Sequence, residues 1–590
     1  MSSRTFLVMK SLDYEHIYNR EFLANALGIP LSELTGVLYG KGVDSYYQSF
    51  DIPKKDGSMR RIDASTSSLK YIQRRLVKLL ELRQKEIWDE RGLNPNISHA
   101  FQRGKSILSN SKVHKNKRYV VNVDLEDFFG SIHFGRVKGF FEHNNDFRLP
   151  PDVATIIAQL TCYKGRLPQG APSSPIITNL ICNIMDIRLL RLAKKYRLDY
   201  TRYADDLTFS TNNKKFINSI EEFLSQLNAE IERAGFRLND KKTRLSYKSS
   251  RQVVTGVTVN EKLAVNSKYR KETRAMADHL YRTGKFNIGG TSGTISQLEG
   301  RFSFIDQIDR YNRKNGENGA SKDINSREFQ YKQFLFFKYF FGSFKPIIMT
   351  EGETDSIHIK AAIKNKYKEY ENLIEKKDNS FAFKVSFFNM SRRNSWFFAI
   401  GDGGNKYGKI CGYYGLNNKK PEESKINLIK RLINISSTHP NYPVILLFDN
   451  EDSREKPLNI TLNAVKAYCN IKVVKDHLDK DGFYRINENL YFATMPKVVA
   501  GDVEIEDLYG DAQLQSFTIH GKSYCKHFDK SDTYDSSKHY TKKELANYVS
   551  TNWRNISFEG FVGLLSGLNT INENYIQFLK ENSYKTHNSL

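Results

Sequence analysis

The stretch TRYADDLTFS, residues 201–210, sets two adjacent aspartates, Asp205 and Asp206, between two runs in which apolar and polar residues alternate. Alternation with a period of two predicts strands, and the short break between them predicts a hairpin. Side-by-side carboxylates repel one another, so such a turn needs either a cation or full solvation of both groups. A second segment bears on the choice. RYVVNVDLEDFF (118–129) predicts a buried, valine-rich strand that carries Asp124 where its apolar run ends. With that strand beside the hairpin, Asp124, Asp205 and Asp206 converge from distant parts of the chain, and three oxygen donors suit Mg²⁺. Two such ions about 4 Å apart activate a 3′-hydroxyl and stabilise a leaving pyrophosphate, which is the chemistry of nucleotidyl transfer.

Composition agrees with a nucleic-acid partner. The 590-residue chain is too long for one core and predicts several domains. Its 39% hydrophobic and 13% aromatic content is ample for globular cores. Ninety Lys and Arg against 66 acidic residues leave a net charge of +24, suited to a polyanion. No apolar run reaches the roughly 20 residues of a membrane span, and MSSRTFLVMKSLDYEH has no signal-peptide core, so a cytoplasmic protein without a membrane partner is expected. Five scattered cysteines with no CxxC pair predict reduced thiols and no zinc ribbon.

Along the chain, residues 14–100 are helical in pattern, interrupted by the extended basic segment IPKKDGSMRRID (52–63). NSIEEFLSQLNAEIERAGF is an amphipathic helix closed by Gly235. YNRKNGENGASKDINS (311–326) is a loop or hinge, and the aromatic run FQYKQFLFFKYFFG (329–342) predicts a buried helix that packs domains together rather than a base-stacking platform. From about Lys345, strands alternate with helices, which predicts a mostly parallel sheet with acids at the strand ends. The segment beyond about residue 511 is polar, with one late helical pattern.

The first 340 residues resemble a bacterial retron-type reverse transcriptase. On that resemblance Lys54, Lys55 and Arg60 belong to the fingers segment that contacts the incoming triphosphate. Asp124, Asp205 and Asp206 are the catalytic acids that hold two Mg²⁺, and Tyr203 belongs to the YADD hairpin. Phe129 sits where the family keeps an aromatic gate against a ribose 2′-OH. Gln169 and Gly170 in LPQGAPSSP match the loop that packs on template and nucleotide, and Lys242 in LNDKKT matches a lysine that assists the pyrophosphate. NSKVH (110–114) resembles the retron NAxxH element with Ser111 in place of alanine, and Val254, Thr255 and Gly256 form the VTG triplet found near the thumb. Asn110, His114 and the VTG triplet are therefore expected at RNA, together with Lys268, Arg270, Lys271 and Arg274 of a basic thumb helix. The resemblance implies deoxynucleoside triphosphates as substrates. It also implies a structured noncoding RNA, copied from an internal 2′-OH into a branched RNA–DNA product. An intron-type enzyme is the related alternative, although no Cys/His-rich endonuclease segment is present. An RNA-binding scaffold with a retired site is the non-enzymatic one.

MTEGETD and LLFDNEDS place a second set of acids where strands end, and this region resembles a Toprim domain. Glu351 then acts as general acid or base. Glu351, Asp355, Asp449, Glu451 and Asp452 are the expected ligands for one or two Mg²⁺, with Glu506 and Asp507 as further candidates. The sequence reads DNED where the family has DxD, so Glu451 or Asp452 stands for the second aspartate. The implied activity is phosphodiester cleavage, with RNA the favoured substrate, in an antiphage effector; the alternative is a domain that senses nucleic acid without cutting.

The expected architecture is multidomain α/β and α+β: a right-hand polymerase followed by a Rossmann-like Toprim sheet and a short C-terminal extension. N-terminal helices and fingers occupy 1–115, the palm 116–260, thumb and linker 261–343, the Toprim domain 344–510 and the extension 511–590. A homo-oligomer is compatible with this reading.

Overall fold

In a computed structural model, the described residues are 14–54, 57–93, 95–314, 324–378, 380–401, 406–416, 427–498, 501–525, 528 and 534–589. The chain divides into two compact units, Met1–Ser267 and Lys268–Leu590.

In the first unit, β1 (Tyr47–Pro53) and β2 (Met59–Ser65) form an antiparallel hairpin that carries the basic segment. Lys54 N donates to Ser58 O at 2.7 Å across its turn. A four-stranded antiparallel sheet follows, in the order β4–β5–β3–β6, with β3 at Tyr119–Asp124, β4 at Asp199–Tyr203, β5 at Asp206–Thr211 and β6 at Arg244–Tyr247. The alternation read from the sequence is realised in space. Val121, Val123, Leu207 and Phe209 share one core with Phe223, Leu227 and Ile231 of the amphipathic helix Ile220–Arg233. Beyond β6, the two-residue strands β7 (Val253–Val254) and β8 (Val257–Thr258) are joined through Thr255 and Gly256, both at positive φ.

The second unit opens with helices Ser267–Thr283 and Ile295–Lys314, separated by the short strands β9 (Asn287–Ile288) and β10 (Thr291–Ser292). Helix Ser326–Phe336 continues into a π-helical turn at Phe337–Phe341. Its sheet has the order β14–β11–β15–β17–β16, with β11 at Ile347–Met349, β14 at Ser386–Phe387, β15 at Val444–Phe448, β16 at Phe483–Asn487 and β17 at Leu490–Thr494. The first four strands pair in parallel and β16 is antiparallel. Strands β12 (Ile374–Lys377) and β13 (Ser380–Phe383) form a separate hairpin.

Parallel strands bury both faces and so read as unbroken apolar runs, and VILLF of β15 is buried throughout. One face, with Met349, Leu446 and Phe492, packs in a core with Leu280 and Phe302 of the opening helices and with Phe334 and Phe340 of the aromatic helix. That helix is therefore buried, as the aromatic run predicts, but the core it joins lies within the second unit rather than between domains. The opposite face, with Ile348, Ile445, Leu447 and Tyr491, packs on Leu545 and on Leu564, Leu568 and Tyr575 of helix Val562–Glu581. Two expected boundaries are thus corrected: cores cross both residue 343 and residue 510, and the segment after 511 is a structural layer of the sheet rather than an appendage.

All five cysteines are free, four of them buried. Among the described residues no single helix is long and apolar enough to cross a membrane, although the bent pair Arg20–Leu27 and Leu31–Gly40 meets that test by length and composition.

Candidate active site

The register of β3 against β5 sets Asp124 opposite Asp206, and Leu125 N donates to Asp205 O at 3.1 Å. The three carboxylates are therefore gathered by backbone pairing, before any side-chain choice is made. Lys242 Nζ donates to Asp124 Oδ1 at 2.9 Å, and Asn239 Nδ2 lies 3.3 Å from the same oxygen. Lost hydration and the Asp124 charge raise the Asp205 carboxyl above its ordinary value. Lost hydration and the charges of Asp205 and Asp124 push Asp206 up to about 6. The hydrogen bond to Asp124 raises Lys242. An all-oxygen donor set with excess negative charge fits a hard divalent cation, and Asp124, Asp205 and Asp206 are the residues that would hold it.

Asp124, Asp205, Asn239 and Lys242 line an open cleft of about 890 Å³, and Asp206 stands just outside its lining. Lys54 and Arg60 reach it from the hairpin β1–β2, Phe129 and Gln169 from their loops, Asp124 from the end of β3, Asp205 from the β4–β5 turn and Lys242 from the 3-10 turn Asp240–Lys242. Gly170 does not line the cleft; it lies beneath the fingers. Its φ is +135°, and a Cβ there would come within 2.8 Å of Ile62 Cγ2 and 3.0 Å of Asp63 O. Gln169 O accepts from Asp63 N at 2.9 Å, so the LPQG loop and β2 are joined through the backbone. Tyr203 pairs with Asp206 at the base of the turn. Lys55 lies outside the described residues. Phe101, 51% exposed and 6.4 Å from the Phe129 ring, also lines the cleft and was not singled out in the sequence. Its signal, an aromatic in the loop SHAFQRG, becomes readable only once the loop is placed.

The residues expected to touch RNA behave differently. Asn110, His114 and Val254 are fully buried, so their assignment to an RNA surface is corrected. His114 sits between Ser210 Oγ and Thr201 Oγ1, 2.7 Å from each, and Thr201 Oγ1 donates to Asn110 Oδ1 at 2.6 Å. Burial lowers the His114 imidazole to about 3. Ser111 Oγ donates to Val254 O at 3.0 Å, so the NSKVH segment and the VTG turn are one packed assembly, tied through His114 to β4 and β5. Thr255 is half-buried and Gly256 exposed at the turn. In the second unit Lys268, Lys271 and Arg274 are exposed on helix Ser267–Thr283 and Arg270 is half-buried.

A second acidic cluster stands at the C-terminal ends of the adjacent parallel strands β11 and β15. Oxygens of Glu351, Asp449 and Glu451 lie within 4.8 Å of one another. Tyr407 OH bridges the carbonyls of Leu447 and Met349 (2.8 and 3.2 Å), tying the two strand ends together. Lost hydration and the Glu451 charge push Glu351 up to about 7, and lost hydration raises Asp449 well above the carboxylate range, with Asp355 and Glu351 adding to it. Asp449 Oδ1 is buried without a hydrogen-bond partner. A buried carboxylate oxygen left unpaired among like charges fits a cation held by Glu351, Asp449 and Glu451.

Asp355 accepts from Gly352 N at 2.6 Å, and a Cβ on Gly352 would lie 2.4 Å from Asp355 Oδ1. Glycine is therefore needed for the acid to close on the turn. Asp452 is corrected: its exposed side chain lies 3.8 Å from Lys497, and of the two acids only Glu451 joins the cluster with Glu351 and Asp449. Asp507 caps the turn Ile505–Tyr509 by accepting from Glu504 N at 2.7 Å. Lys542, from helix Lys542–Asn552, donates to Glu506 at 3.1 Å and also to Glu504. Three lysines (Lys406, Lys456 and Lys542) thus contact this site's backbone carbonyls or acids, and none stood out by motif.

The comparisons with known proteins concern the first of these sites. Residues 52–259 match the family model described as reverse transcriptase (RNA-dependent DNA polymerase). The retron Ec86 reverse transcriptase of Escherichia coli is 32% identical over 304 residues, which are 51% of this chain and 88% of that enzyme. This chain belongs to the retron reverse transcriptase family. Another member, the retron Mx162 reverse transcriptase of Myxococcus xanthus, is 34% identical over 319 residues, 49% of this chain and 64% of its own length. The Ec83 enzyme of Escherichia coli is 28% identical over 291 residues, 46% of this chain and 88% of its length. The retron-family match thus extends over about half of the chain, and the second acidic cluster stands on geometry alone.

Proposed function

We propose that the protein is a bifunctional cytoplasmic enzyme whose first unit is an RNA-directed DNA polymerase. It copies a structured noncoding RNA from an internal 2′-OH into a branched RNA–DNA product. The observation that carries this reading is the single cleft shared by Arg60, Asp124, Phe129, Asp205 and Lys242. Lys54 and Arg60 neutralise triphosphate oxygens. Phe129, a bulky ring lining the same cleft, serves to exclude a 2′-hydroxyl. Lys242 shields Asp124 and stands ready to donate toward a leaving pyrophosphate. When bound, Mg²⁺ lowers the charge on the phosphates and favours the 3′-alkoxide. The test is nucleic acid co-purified from the native locus. A discrete species shortened by RNase and by DNase, and missing from Asp205→Asn, supports the reading; RNA alone in both samples overturns it.

For the second unit we propose Mg²⁺-dependent phosphodiester cleavage by a Toprim-type site, with RNA as substrate and antiphage defence as the role. Support comes from acids clustered at the C-terminal ends of adjacent parallel strands, where open α/β sheets place their sites, and from the orphaned Asp449 oxygen. Glu351, held near neutrality, suits proton transfer. Lys542 balances Glu504 and Glu506 beside it. Glu351→Ala and Asp449→Ala are expected to abolish the toxicity of the released effector; toxicity surviving in both rejects cleavage in favour of sensing.

A further inference from the structure

We propose that Arg202, Asp186 and Asn179 are positioning residues, and that one buried polar network fixes two turns of the polymerase cleft, Ala204 beside the catalytic aspartates and Phe101 against Phe129. The inference rests on the polymerase reading of this cleft.

Arg202 is fully buried and Asp186 nearly so. Its guanidinium meets the Asp186 carboxylate through Nε at 2.9 Å and Nη2 at 2.8 Å, and Tyr200 OH donates to the same carboxylate at 2.9 Å. A buried ion pair is weak evidence for stability, because apolar packing of the same volume commonly serves as well. What distinguishes this one is where its remaining donors go. Arg202 Nη1 donates to Ala204 O at 3.3 Å and to Asn179 Oδ1 at 3.2 Å. Asn179 Nδ2 donates in turn to Ala100 O at 3.0 Å, and Ser98 Oγ donates to Asn179 Oδ1 at 3.0 Å.

Both turns held in this way are strained. Ala204 has φ +57° and Phe101 φ +59°, in the left-handed region that side chains disfavour. Such conformations persist only where the surroundings over-determine them, and they gather at functional sites. The network ends on the carbonyl of Ala204 itself and on the peptide carbonyl immediately before Phe101. Backbone bonds reinforce the second tie: Arg202 N donates to Ile97 O at 2.8 Å and His99 N to Arg202 O at 2.9 Å. One end fixes where Asp205 and Asp206 stand. The other fixes a large apolar ring, 51% exposed in a cleft it lines with Phe129. An aromatic face kept open beside a second ring offers a wall to a nucleotide base or sugar.

The two ends predict separable kinetic effects. With the full-length protein, poly(rA)–oligo(dT), dTTP and Mg²⁺, Asn179→Ala and Phe101→Leu are each expected to raise the KM for dTTP about tenfold, leaving the Mg²⁺ midpoint within about twofold. The double variant is expected to be no worse than either single one. Arg202→Lys cannot make the forked contact and is expected to raise the Mg²⁺ midpoint about tenfold. A purely structural role would lower the active fraction and move neither midpoint, and that result overturns the proposal. Additive effects of Asn179→Ala and Phe101→Leu also overturn it. Should Arg202→Lys fail to fold, Phe101→Leu, at an exposed ring, and Asn179→Ala decide the matter between them. Extension by the wild type with unmoved KM in both rejects the network and leaves the polymerase reading intact. No extension by the wild type, matching Asp205→Asn, rejects that reading first and the network with it.

Discussion

At the scale of single residues, both acidic sites hold carboxylates against their own electrostatics. Glu351 is raised to about 7 from an ordinary 4.5. Between those values the folded protein binds more protons than the unfolded one, so stability falls as pH rises, and above about 7 the whole penalty is present. In EDTA, Glu351→Gln is therefore expected to raise the melting temperature by about 2 °C at pH 8 and to leave it unchanged at pH 5. Mg²⁺ at pH 8 should reverse the order, stabilising the wild type and not the variant. Scanning calorimetry at the two pH values checks both; a variant that gains equally at pH 5 would show that the charge is not the cause. At the polymerase centre, Asp205→Asn replaces one of three carboxylates by a neutral amide and is expected to lower DNA synthesis about a thousandfold in a primer-extension assay. These acids were legible in the sequence because each ends an apolar run. Lys542 was not, since a lysine in an amphipathic helix looks the same whether it faces water or two glutamates.

At the scale of elements, short motifs act as joints between strands. Gly170 lets the LPQG loop lie against β2, where a side chain would meet the Asp63 carbonyl. Gly170→Ala is expected to displace the hairpin that carries Lys54 and Arg60 and to raise the KM for deoxynucleotides between about tenfold and a hundredfold, measured by single-nucleotide incorporation. The NSKVH segment was legible as a family element, but its role was not. Motifs report which residues recur together, whereas only packing tells that His114 faces Ser210 and Thr201 instead of solvent. Held at about 3, His114 stays neutral in the fold, so its contribution is intact above an ordinary imidazole pKa of 6.5 and is lost as pH falls toward 3. His114→Leu strips Ser210 Oγ of its imidazole partner and leaves Thr201 Oγ1 with Asn110 alone, and is expected to cost about 2 kcal/mol at pH 7. It should also flatten the acid dependence of hydrogen exchange in β5; an unchanged acid profile would place the sensitivity elsewhere.

At the scale of the whole molecule, the mostly parallel sheet was foreshadowed by apolar runs alternating with helical patterns, yet its strand order and the extent of each unit were not. Hydrophobic periodicity shows that a face is buried and not which later segment covers it. The sheet of the second unit has two such faces. Met349, Leu446 and Phe492 are covered by helices that precede β11, and Ile445, Leu447 and Tyr491 by helices that follow residue 511. Removing either layer exposes a contiguous apolar surface, which drives aggregation. A fragment of residues 268–590 is therefore expected to unfold in one cooperative transition, whereas 344–590 and 268–510 should be insoluble or melt without a baseline. A fragment of residues 1–267 should fold without the second unit, because the palm core is complete within it. Expression of the four fragments with thermal melts followed by circular dichroism tests this directly. A cooperative transition in 268–510 would mean that Leu564, Leu568 and Tyr575 decorate the sheet instead of closing it, and that the C-terminal segment is free to serve another purpose.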